Sequence, residues 1–311
     1  MKKGFVLITT LSVITILSFL ILVINKTVIQ DSVKTYVFNE SILKRIQLIN
    51  YEKFLIETLQ NNSFQLRNLS LAEQEINTFM AEEYENLKIT FSDLNTCINL
   101  NSSVKKFRQL LIKNDKNVTL FSRLFLNLGL ERNFTENFYD RLVDFIDSDG
   151  LPERFGAEDL YYIADIDSNF TSDSYLFSVS QLKDLKMFDE VTYKLIAPHF
   201  CALPEIYNKF NINSLKRDNY LAFQSIFPEI TLNDLEEIIL NRPVTGYINL
   251  SHFNELTNID EGKLIAENII FKPEYIRIGY SLTLEGYEFN MYSIVNLKER
   301  KNNLISRSFT K

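Results

Sequence analysis

Acidic side chains that could bind a metal ion are concentrated in one part of the sequence: Asp147, Asp149, Glu158 and Asp159. Hard cations such as calcium prefer several oxygen ligands from carboxylates and carbonyls. The first three acids occupy the first, third and twelfth places of an EF-hand count, but the sixth place is Pro152 instead of the required Gly. The stretch is therefore not an EF-hand. Two interpretations remain open: a looser calcium loop, or a solvated acidic turn whose carboxylates cap helix N termini.

Catalytic and nucleic-acid chemistry have little support in the sequence. The two histidines, His199 and His252, lie far apart without a metal-ligand spacing, and the two cysteines, Cys97 and Cys201, form no CxxC motif. There is no GxSxG, HExxH or phosphate-binding loop. The net charge of −7 argues against binding to nucleic acid, which requires clustered Lys and Arg. We therefore expect a protein without enzymatic activity.

The N terminus has the pattern of a basic leader followed by a membrane helix. Lys2, Lys3 and Gly4 precede the uncharged segment from Phe5 to Ile24. As a helix this segment spans about 30 Å, which matches the hydrocarbon core of a bilayer. No small-x-small cleavage site follows it, so we do not expect removal of the whole segment. The positive-inside rule places the basic end in the cytoplasm and the rest of the chain across the membrane.

Helical periodicity continues beyond the apolar segment. From Thr27 to Leu59 apolar residues recur at i, i+3 and i+4, and neither Gly nor Pro occurs between Phe5 and Leu128. This pattern predicts that the membrane helix continues into an amphipathic helix with one buried face.

The remaining sequence predicts strands on either side of a helical region. Alternation around Leu87 to Phe91 indicates a strand, and the tail from Glu274 alternates as well. The segment KNNLISRSFTK at 301–311 is predicted as an edge strand. Between them, from Val104 to Leu240, the pattern is mostly that of short helices, the first of which is KKFRQLLIKN at 105–114.

A basic leader that ends in Gly and precedes Phe and an apolar helix resembles the N terminus of type IV pilins and pseudopilins. The resemblance implies that a prepilin peptidase cleaves between Gly4 and Phe5 and methylates the new amine of Phe5. Most pilins carry Glu at the fifth mature position, which is Thr9 here. In pilins that carboxylate pairs with the amine of the subunit added just before. Its absence fits a subunit that is added first and lies at the tip.

The order of motifs along the chain resembles one branch of this family. Five motifs follow one another as in the K-type minor pseudopilin of the type II secretion system, general secretion pathway protein K. In chain order they are CINLNS, LVDFIDSDGLPERFGAEDLYY, SVSQLKDLKMFDEVTYKLIAPHFCALPE, NINSL and RPVTGYINLSHF. Phe145 stands where that family often has Trp. The resemblance implies an α+β fold, in which a long N-terminal helix packs on an antiparallel sheet as in type IV pilins and a large all-α domain is inserted.

The resemblance also implies a division of the chain. It predicts a cleaved leader at 1–4, a transmembrane helix at 5–24, and the amphipathic helix with the first part of the pseudopilin domain at 25–103. The inserted helical domain is predicted at 104–243, and the second part of the pseudopilin domain, with its strands, at 244–311.

The same resemblance predicts a function. It implies a tip subunit, held in the bacterial inner membrane by a single span, that initiates and caps a periplasmic pseudopilus. The implied partners are the I-type and J-type minor pseudopilins, the major pseudopilin, prepilin peptidase and the inner-membrane assembly platform. It also implies calcium in the helical domain, with Asp147, Asp149, Glu158 and Asp159 as the candidate ligands.

The two cysteines occupy matching motifs of that family, which implies a Cys97–Cys201 disulfide in the oxidising periplasm. Such a bond would close a loop of about a hundred residues and stabilise the fold by roughly 4–5 kcal/mol in the chain-entropy model. The alternative is a pair of buried free thiols.

A second hypothesis is a single-pass envelope protein that binds DNA or another polyanion. Residues 178–196 and 213–239 resemble helix–hairpin–helix units, which approach phosphate through glycine-bearing hairpins. The hairpins here, at 186–189 and 228–231, contain no Gly and carry acids. We therefore expect them to be packing units and expect no nucleic-acid partner.

Overall fold

A single helix, α1, covers Lys2–Gln60 in the computed structural model of the chain. This confirms the prediction that the apolar segment continues as one helix. The structure describes residues 2–60, 66–81, 84, 86–163, 170–284, 287–299 and 303–310, and the side chains of 2–7, 33, 60, 261, 284 and 310 lie outside this description. By length and composition, α1 is the one helix in the described part of the chain able to cross a membrane.

Shorter helices make up most of the region between the strands. The α-helices are α2 (Leu69–Ala81), α3 (Val118–Asn127), α4 (Arg132–Ile146), α5 (Asp159–Ile163), α6 (Glu190–Ile196), α7 (Tyr220–Ile226), α8 (Leu232–Leu240) and α9 (Leu250–Leu256). The 3-10 helices are Leu100–Ser103, Asp115–Asn117, Val179–Leu185, Ala197–His199, Ile212–Ser214, Arg217–Asn219, Glu261–Lys263 and Ala266–Asn268. The sequence pattern predicts most of these segments, but α2 lies in a stretch without a predicted element.

The main sheet has four antiparallel strands in the order β1-β8-β9-β10. The strands of the chain are β1 (Leu87–Asp93), β2 (Ile98–Asn99), β3 (Val104–Phe107), β4 (Leu110–Lys113), β5 (Phe200–Cys201), β6 (Phe210–Asn211), β7 (Ile269–Ile270), β8 (Tyr275–Leu284), β9 (Tyr287–Asn296) and β10 (Leu304–Thr310). The predicted strands near Leu87 and in the tail are confirmed, and β10 lies at the edge of the sheet as predicted. A long helix on an antiparallel sheet, with helices inserted between β1 and β8, is the predicted fold class.

The C-terminal part of α1 packs on one face of the main sheet. Leu48, Tyr51 and Leu55 are at most 5% exposed and contact side chains such as Ile278 and Val295. Toward its N terminus the helix leaves the rest of the described chain, and the large apolar side chains from Ile8 to Ile46 are 41–68% exposed. The predicted buried face of the amphipathic segment is therefore found only from Leu48 onward, because helical periodicity reports an apolar face and not what covers it.

A buried ion pair joins α1 to the last strand. Glu52 has a side chain that is 1% exposed, and its Oε2 accepts a hydrogen bond from Arg307 Nε at 2.9 Å and a second one from Arg307 Nη2. The other carboxylate oxygen, Oε1, is buried without a hydrogen-bond partner among the described atoms. Glu52 lies on α1 and Arg307 lies on β10, so the pair fixes the helix in one register on the sheet.

Side chains of α2 cover the outer edge of β1. The Asn77 side chain donates to the backbone oxygen of Ile89 at 2.7 Å and accepts from its N–H at 2.8 Å. Glu73 Oε2 accepts from the backbone N–H of Phe91 at 2.8 Å. The N–H and oxygen of Ile89 and the N–H of Phe91, which an additional strand would need at this edge, are therefore occupied.

The helical region consists of two units with the same backbone design. In the first, β2 pairs in parallel with β5, and in the second, β6 pairs in parallel with β7. Each first strand ends in an asparagine, Asn99 or Asn211, whose side chain accepts a hydrogen bond from the N–H two residues later and caps a 3-10 turn. We call residues 98–201 and 210–270 the first and second helical units.

A second asparagine closes each unit from inside. Asn101 donates to the oxygens of Leu176 and Leu203 at 2.9 and 2.7 Å and accepts from the Leu176 N–H at 2.8 Å. Asn213 makes the equivalent bonds in the second unit, to Tyr247 and to the oxygen of Phe271. Both side chains are at least 93% buried. Their amide groups therefore make the hydrogen bonds that water would otherwise make to these backbone groups inside the core. The repeated sequence Asn-x-Asn-Ser therefore specifies the repeated turn.

The predicted helix at 105–114 is wrong, because β3 and β4 form an antiparallel hairpin there. Arg108 adopts a left-handed φ of 57° at its tip. Leu111 exchanges two hydrogen bonds with Ser148, one from its N–H to Ser148 Oγ at 3.0 Å and one from the Ser148 N–H to its oxygen at 3.1 Å. Ser148 thus provides hydrogen-bond partners for the backbone N–H and oxygen of Leu111 in β4. The local spacing of apolar residues does not predict such a long-range contact.

Removing one member of the buried ion pair should destabilise the fold more than removing both. We expect Arg307→Met to lower the free energy of unfolding by about 3 kcal/mol, because it leaves the Glu52 carboxylate buried without its cation. The double variant Glu52→Leu/Arg307→Met should lie within about 1 kcal/mol of the parent, since two apolar side chains fill the same space. Calorimetry of the full chain in detergent measures this difference, and a double variant no more stable than Arg307→Met would contradict it.

Candidate functional site

A disulfide and a polar network join the first helical unit to the main sheet. Cys97 and Cys201 form the predicted bond, with Cα atoms 5.7 Å apart across a sequence separation of 104. The bond lies in a small buried cluster that includes Leu94, Tyr275 and Ile294 of the sheet region. We call this region, between the sheet and the first helical unit, the neck.

Ion pairs on the surface of the neck reinforce this junction. Lys298 Nζ, at the end of β9, lies 2.6 Å from Glu205 Oε2 and 3.4 Å from Glu274 Oε2. Lys209 Nζ lies 2.8 Å from Glu274 Oε1. The buried Asn95 side chain accepts hydrogen bonds from the backbone N–H groups of Glu274 and Tyr275 at 2.8 and 3.0 Å. The neck is therefore held by a covalent bond, charges and buried amides together.

Three of the four predicted metal ligands come together at the end of α4. One carboxylate oxygen from each of Asp147, Asp149 and Glu158 lies within 4.8 Å of the others. We call these three residues the acidic cluster. Asp147 is 4% exposed, and its Oδ1, like Oε1 of Glu158, is buried without a hydrogen-bond partner among the described atoms.

Burial and repulsion between carboxylates raise the pKa values of Asp147 and Glu158 in the cluster and of the adjacent Asp144. Burial, followed by the charges of Asp149, Asp144 and Glu158, raises the pKa of Asp147 to about 8. Burial and the neighbouring carboxylates, first among them Asp144, raise the pKa of Glu158 to about 7. Burial also raises the pKa of Asp144 to about 6, against the hydrogen bonds that it accepts. Positive charge placed among these carboxylates would lower their pKa values again.

Unpaired buried carboxylate oxygens, gathered within a few ångströms, fit a hard divalent cation. Calcium takes six to eight oxygen ligands, so three carboxylates leave room for backbone oxygens and water. The acidic cluster is therefore compatible with the predicted metal, and its donor set contains neither nitrogen nor sulfur.

The fourth predicted ligand, Asp159, points elsewhere. Its Oδ1 accepts hydrogen bonds from the backbone N–H and the hydroxyl of Thr171 at 2.8 and 2.7 Å. The Thr171 hydroxyl oxygen also lies 2.9 Å from Asp173 Oδ1, so the two carboxylates share its single hydrogen. Asp159 therefore lies outside the acidic cluster and ties the start of α5 to the segment around Thr171.

Asp144 is a structural acid of the site that the sequence pattern does not identify. It is fully buried, and both of its oxygens accept from the Glu153 N–H, at 3.1 and 3.2 Å. A Cβ added to Gly156 would lie 1.7 Å from Asp144 Oδ2, so any side chain at that position would displace the carboxylate. Gly156 is therefore required where the loop between Asp149 and Glu158 passes over Asp144.

The acidic cluster also contacts the β3–β4 hairpin. Ser148, between Asp147 and Asp149, makes the two backbone bonds to Leu111 described above. Lys113 Nζ, at the end of β4, lies 2.6 Å from Asp140 Oδ1 and 2.9 Å from Glu153 Oε2. The hairpin is thus attached both to α4 and to the loop that carries the acids.

The residues predicted for processing and assembly lie at the start of α1. Gly4 and Phe5 fall within the helical backbone, although the side chain of Phe5 lies outside the described part. Thr9 lies on the exposed surface of the helix, and the most apolar 18-residue stretch of the span Ile8–Leu59 is not buried by any part of the described chain.

Residues at the tips of the two helix–hairpin–helix-like segments act as helix caps. The Asp189 side chain accepts from the Thr192 N–H and caps α6, whereas Thr231 caps α8 with Asp234 in a reciprocal capping box. Both tips therefore have local structural roles.

Comparison with known proteins identifies similar sequences. Residues 96–205 match the family model described as Type II secretion system (T2SS), protein K. The chain is 28% identical over 173 residues to the putative type II secretion system protein K of Escherichia coli (strain K12), which covers 55% of this chain and 53% of that protein. It is 25% identical over 223 residues to type II secretion system protein K of Pectobacterium carotovorum subsp. carotovorum, with coverages of 70% and 68%.

A third relative, type II secretion system protein K of Klebsiella pneumoniae, is 30% identical over 165 residues, covering 53% of this chain and 51% of that protein. The chain thus spans about half the length of the first and third of these relatives. These matches confirm the resemblance to the K family.

The fold is found in a solved structure. A chain in the crystal structure of the GspK-GspI-GspJ complex from the enterotoxigenic Escherichia coli Type 2 Secretion System matches with a TM-score of 0.63. The match covers 86% of this chain and 98% of that one at 19% sequence identity. The predicted pilin-like α+β architecture with a large helical insert is confirmed.

The raised pKa values predict how stability without metal depends on pH. The folded acids hold protons that the unfolded chain releases near pH 4, so stability in EDTA should fall as the pH rises from about 5 to 8. Asp147→Asn should flatten this dependence, because the most strongly shifted carboxyl is gone. The exposed Glu229→Gln is the matched control and should retain the parental profile. Thermal melting of the full chain in detergent measures both, and a flat parental profile would contradict the analysis.

Proposed function

We propose that this chain is a minor pseudopilin of the type II secretion system, of the K type, that initiates and caps the periplasmic pseudopilus. The observation that carries the proposal is the match of residues 96–205 to the protein K family, in a chain whose fold is that of a pilin-like subunit. The role is one of assembly and involves no catalysis. The bulk of the chain lies in the periplasm, and α1 anchors it in the inner membrane.

The exposed apolar side chains of α1 support the assembly role. From Ile8 to Ile46 they would be covered by lipid before assembly and by the helices of neighbouring subunits afterwards. Transfer between these two apolar surroundings costs little hydrophobic free energy, so extraction from the membrane becomes feasible only when partner helices replace lipid.

Thr9 supports the position at the tip. A carboxylate at this position would be buried among apolar helices and would need a cation from the subunit ahead. Thr9 carries no charge, so this chain can enter the fibre with nothing ahead of it. The two helical units, which are much bulkier than α1, would then obstruct the addition of any subunit above.

Partners follow from the same proposal. The related Escherichia coli structure is of a GspK-GspI-GspJ complex. We therefore propose the I-type and J-type minor pseudopilins as neighbours, the major pseudopilin below them, and prepilin peptidase and the inner-membrane assembly platform as the machinery that acts on α1.

Calcium at the acidic cluster is part of the proposal. Asp147, Asp149 and Glu158 would hold the ion, and the unpaired oxygens and raised pKa values of Asp147 and Glu158 support this assignment. The ion would supply positive charge that cancels the repulsion among the three acids. Because Ser148 joins the cluster to β4, the loop and the β3–β4 hairpin would be stabilised together.

Processing of the N terminus tests the assembly role. Mass spectrometry of protein isolated from native membranes should find a chain that begins at Phe5 and carries one additional methyl group on its amine. Gly4→Val should leave the leader in place, because a bulky side chain at the cleavage site excludes the peptidase. Intact residues 1–4 in the native protein, with secretion proceeding normally, would contradict the proposal.

Metal addition tests the calcium proposal. Calcium added to EDTA-treated protein should raise the melting temperature, and by more at pH 8 than at pH 5, because the ligands must be deprotonated. Asp147→Asn should abolish the increase, whereas Glu229→Gln should retain it. A melting temperature that does not respond to calcium or to chelation would instead support the solvated acidic turn.

A further inference from the structure

A groove of about 280 Å³ lies between α3 and α4 in the first helical unit. The two helices pack through aromatic side chains, in which Phe121 contacts Phe138 and Phe125 contacts Phe134. We call this pocket the α3–α4 groove. Apart from Val118, its lining residues are polar or charged: Thr119, Ser122 and Arg123 of α3, and Arg132, Thr135 and Glu136 of α4.

Arg123 is a half-buried cation without a counter-ion in the described part of the chain. Among the described residues no carboxylate pairs with its guanidinium, and its Nε is buried without a hydrogen-bond partner. Burial lowers the pKa of Arg123, and no nearby acid acts to raise it again. Because burial of a charge is unfavourable unless an opposite charge and hydrogen bonds compensate it, a bound anion would relieve this cost. Water could bond to Nε but would bring no negative charge.

Thr135 provides a second donor without a partner. Its side chain is 2% exposed, and its Oγ1 is buried without a hydrogen-bond partner among the described atoms. Other threonines within helices of this chain donate their hydroxyls to the backbone oxygen four residues earlier, as Thr35, Thr58 and Thr78 do at 2.8 Å. Thr135 makes no such bond to Glu131, so its hydroxyl hydrogen is free to bond to a ligand.

The one acid that lines the α3–α4 groove does not compensate Arg123. Glu136 Oε1 lies 3.9 Å from Arg132 Nε, one turn earlier on the same helix. Both side chains are largely exposed, at 48% and 85%, so this pair belongs to the rim and contributes little stability. Two arginines and one glutamate leave the lining with one net positive charge, although the chain as a whole carries −7.

We infer that the α3–α4 groove binds a small oxyanion, whose oxygens accept hydrogen bonds from the Arg123 guanidinium and the Thr135 hydroxyl. A guanidinium presents paired N–H donors that match the oxygens of phosphate or of a carboxylate. Ser122, next to Arg123 on α3, adds a second hydroxyl to the lining. A metal cation does not fit, because Arg123 would repel it and the lining offers a single carboxylate.

This site is separate from the acidic cluster. Asp147 lies twelve positions after Thr135, at the end of α4, which is about 18 Å along the helix axis. An anion in the α3–α4 groove would therefore not contact a metal held by the acidic cluster. The inference does not rest on the proposed function.

The test measures binding of sodium phosphate to the full chain in detergent, after a chelating resin has removed calcium. Isothermal titration calorimetry compares the parent with Arg123→Gln, Thr135→Val and the control Arg277→Gln, which removes an exposed arginine of β8. We expect Arg123→Gln to weaken binding about tenfold, through loss of a charge-assisted hydrogen bond, and Thr135→Val about fivefold, through loss of a neutral one. Arg277→Gln should bind phosphate as the parent does.

Thermal melting separates ligand binding from a structural role. In sodium chloride alone, Thr135→Val should melt at or above the parental temperature, because it removes a buried hydroxyl without a partner. In phosphate at the same ionic strength, the parent should gain more than Arg123→Gln or Thr135→Val. The general effect of phosphate on apolar burial acts on all of these proteins alike, whereas binding acts only where the site is intact.

Sodium acetate identifies the class of oxyanion. A response of the parent to phosphate alone, lost in Arg123→Gln, would assign a tetrahedral oxyanion, and the same response to both salts would extend the site to carboxylates. Binding of neither anion, or equal binding by the parent and Arg123→Gln, would overturn the inference. Such a result, together with a correctly processed N terminus, would leave the proposed function standing.

Discussion

The apolar surface of α1 is the constraint on which the rest of the structure depends. A helix with large exposed aliphatic side chains from Ile8 to Ile46 is stable only where lipid or other helices cover it. The same helix must also belong to a folded domain in water, and it does so through a short buried segment from Leu48 to Leu59. The Glu52–Arg307 pair fixes the register of this segment on the sheet, so the orientation of the uncovered part follows from it.

The neck transmits that orientation to the helical units. The disulfide, the ion pairs of Lys298 and the amide of Asn95 all act where the sheet meets the first unit. Burial of apolar surface alone would hold these parts together without fixing their relative position, since hydrophobic contact is not directional. Directional bonds at the junction therefore define where the acidic cluster and the α3–α4 groove lie relative to α1.

Sequence patterns predict the elements of this protein better than they predict its contacts. The helix α1, the strands of the tail and the edge position of β10 follow from local periodicity, and the resemblance to the K family supplies the inserted helical region. The β3–β4 hairpin was not predictable in this way, because its backbone is satisfied by Ser148, far away in sequence. Asp144 and Gly156 cannot be predicted from the sequence pattern, because a close approach between a carboxylate and a glycine leaves no spacing signal. The repeated Asn-x-Asn-Ser at 99–102 and 211–214 was a visible signal for the two helical units, since each pair of asparagines builds the same capped turn.

The disulfide has a mechanical consequence for any protein that is pulled by one end. Tension that enters through α1 and the sheet reaches Cys97 and can pass directly to Cys201, so the 104-residue interval between them is bypassed by the covalent link. The helices within that interval, and the acidic cluster among them, therefore do not lie in series with the pulling force. The interval between the two cysteines can therefore keep its fold while α1 is pulled, because the covalent bond shields it from stretching.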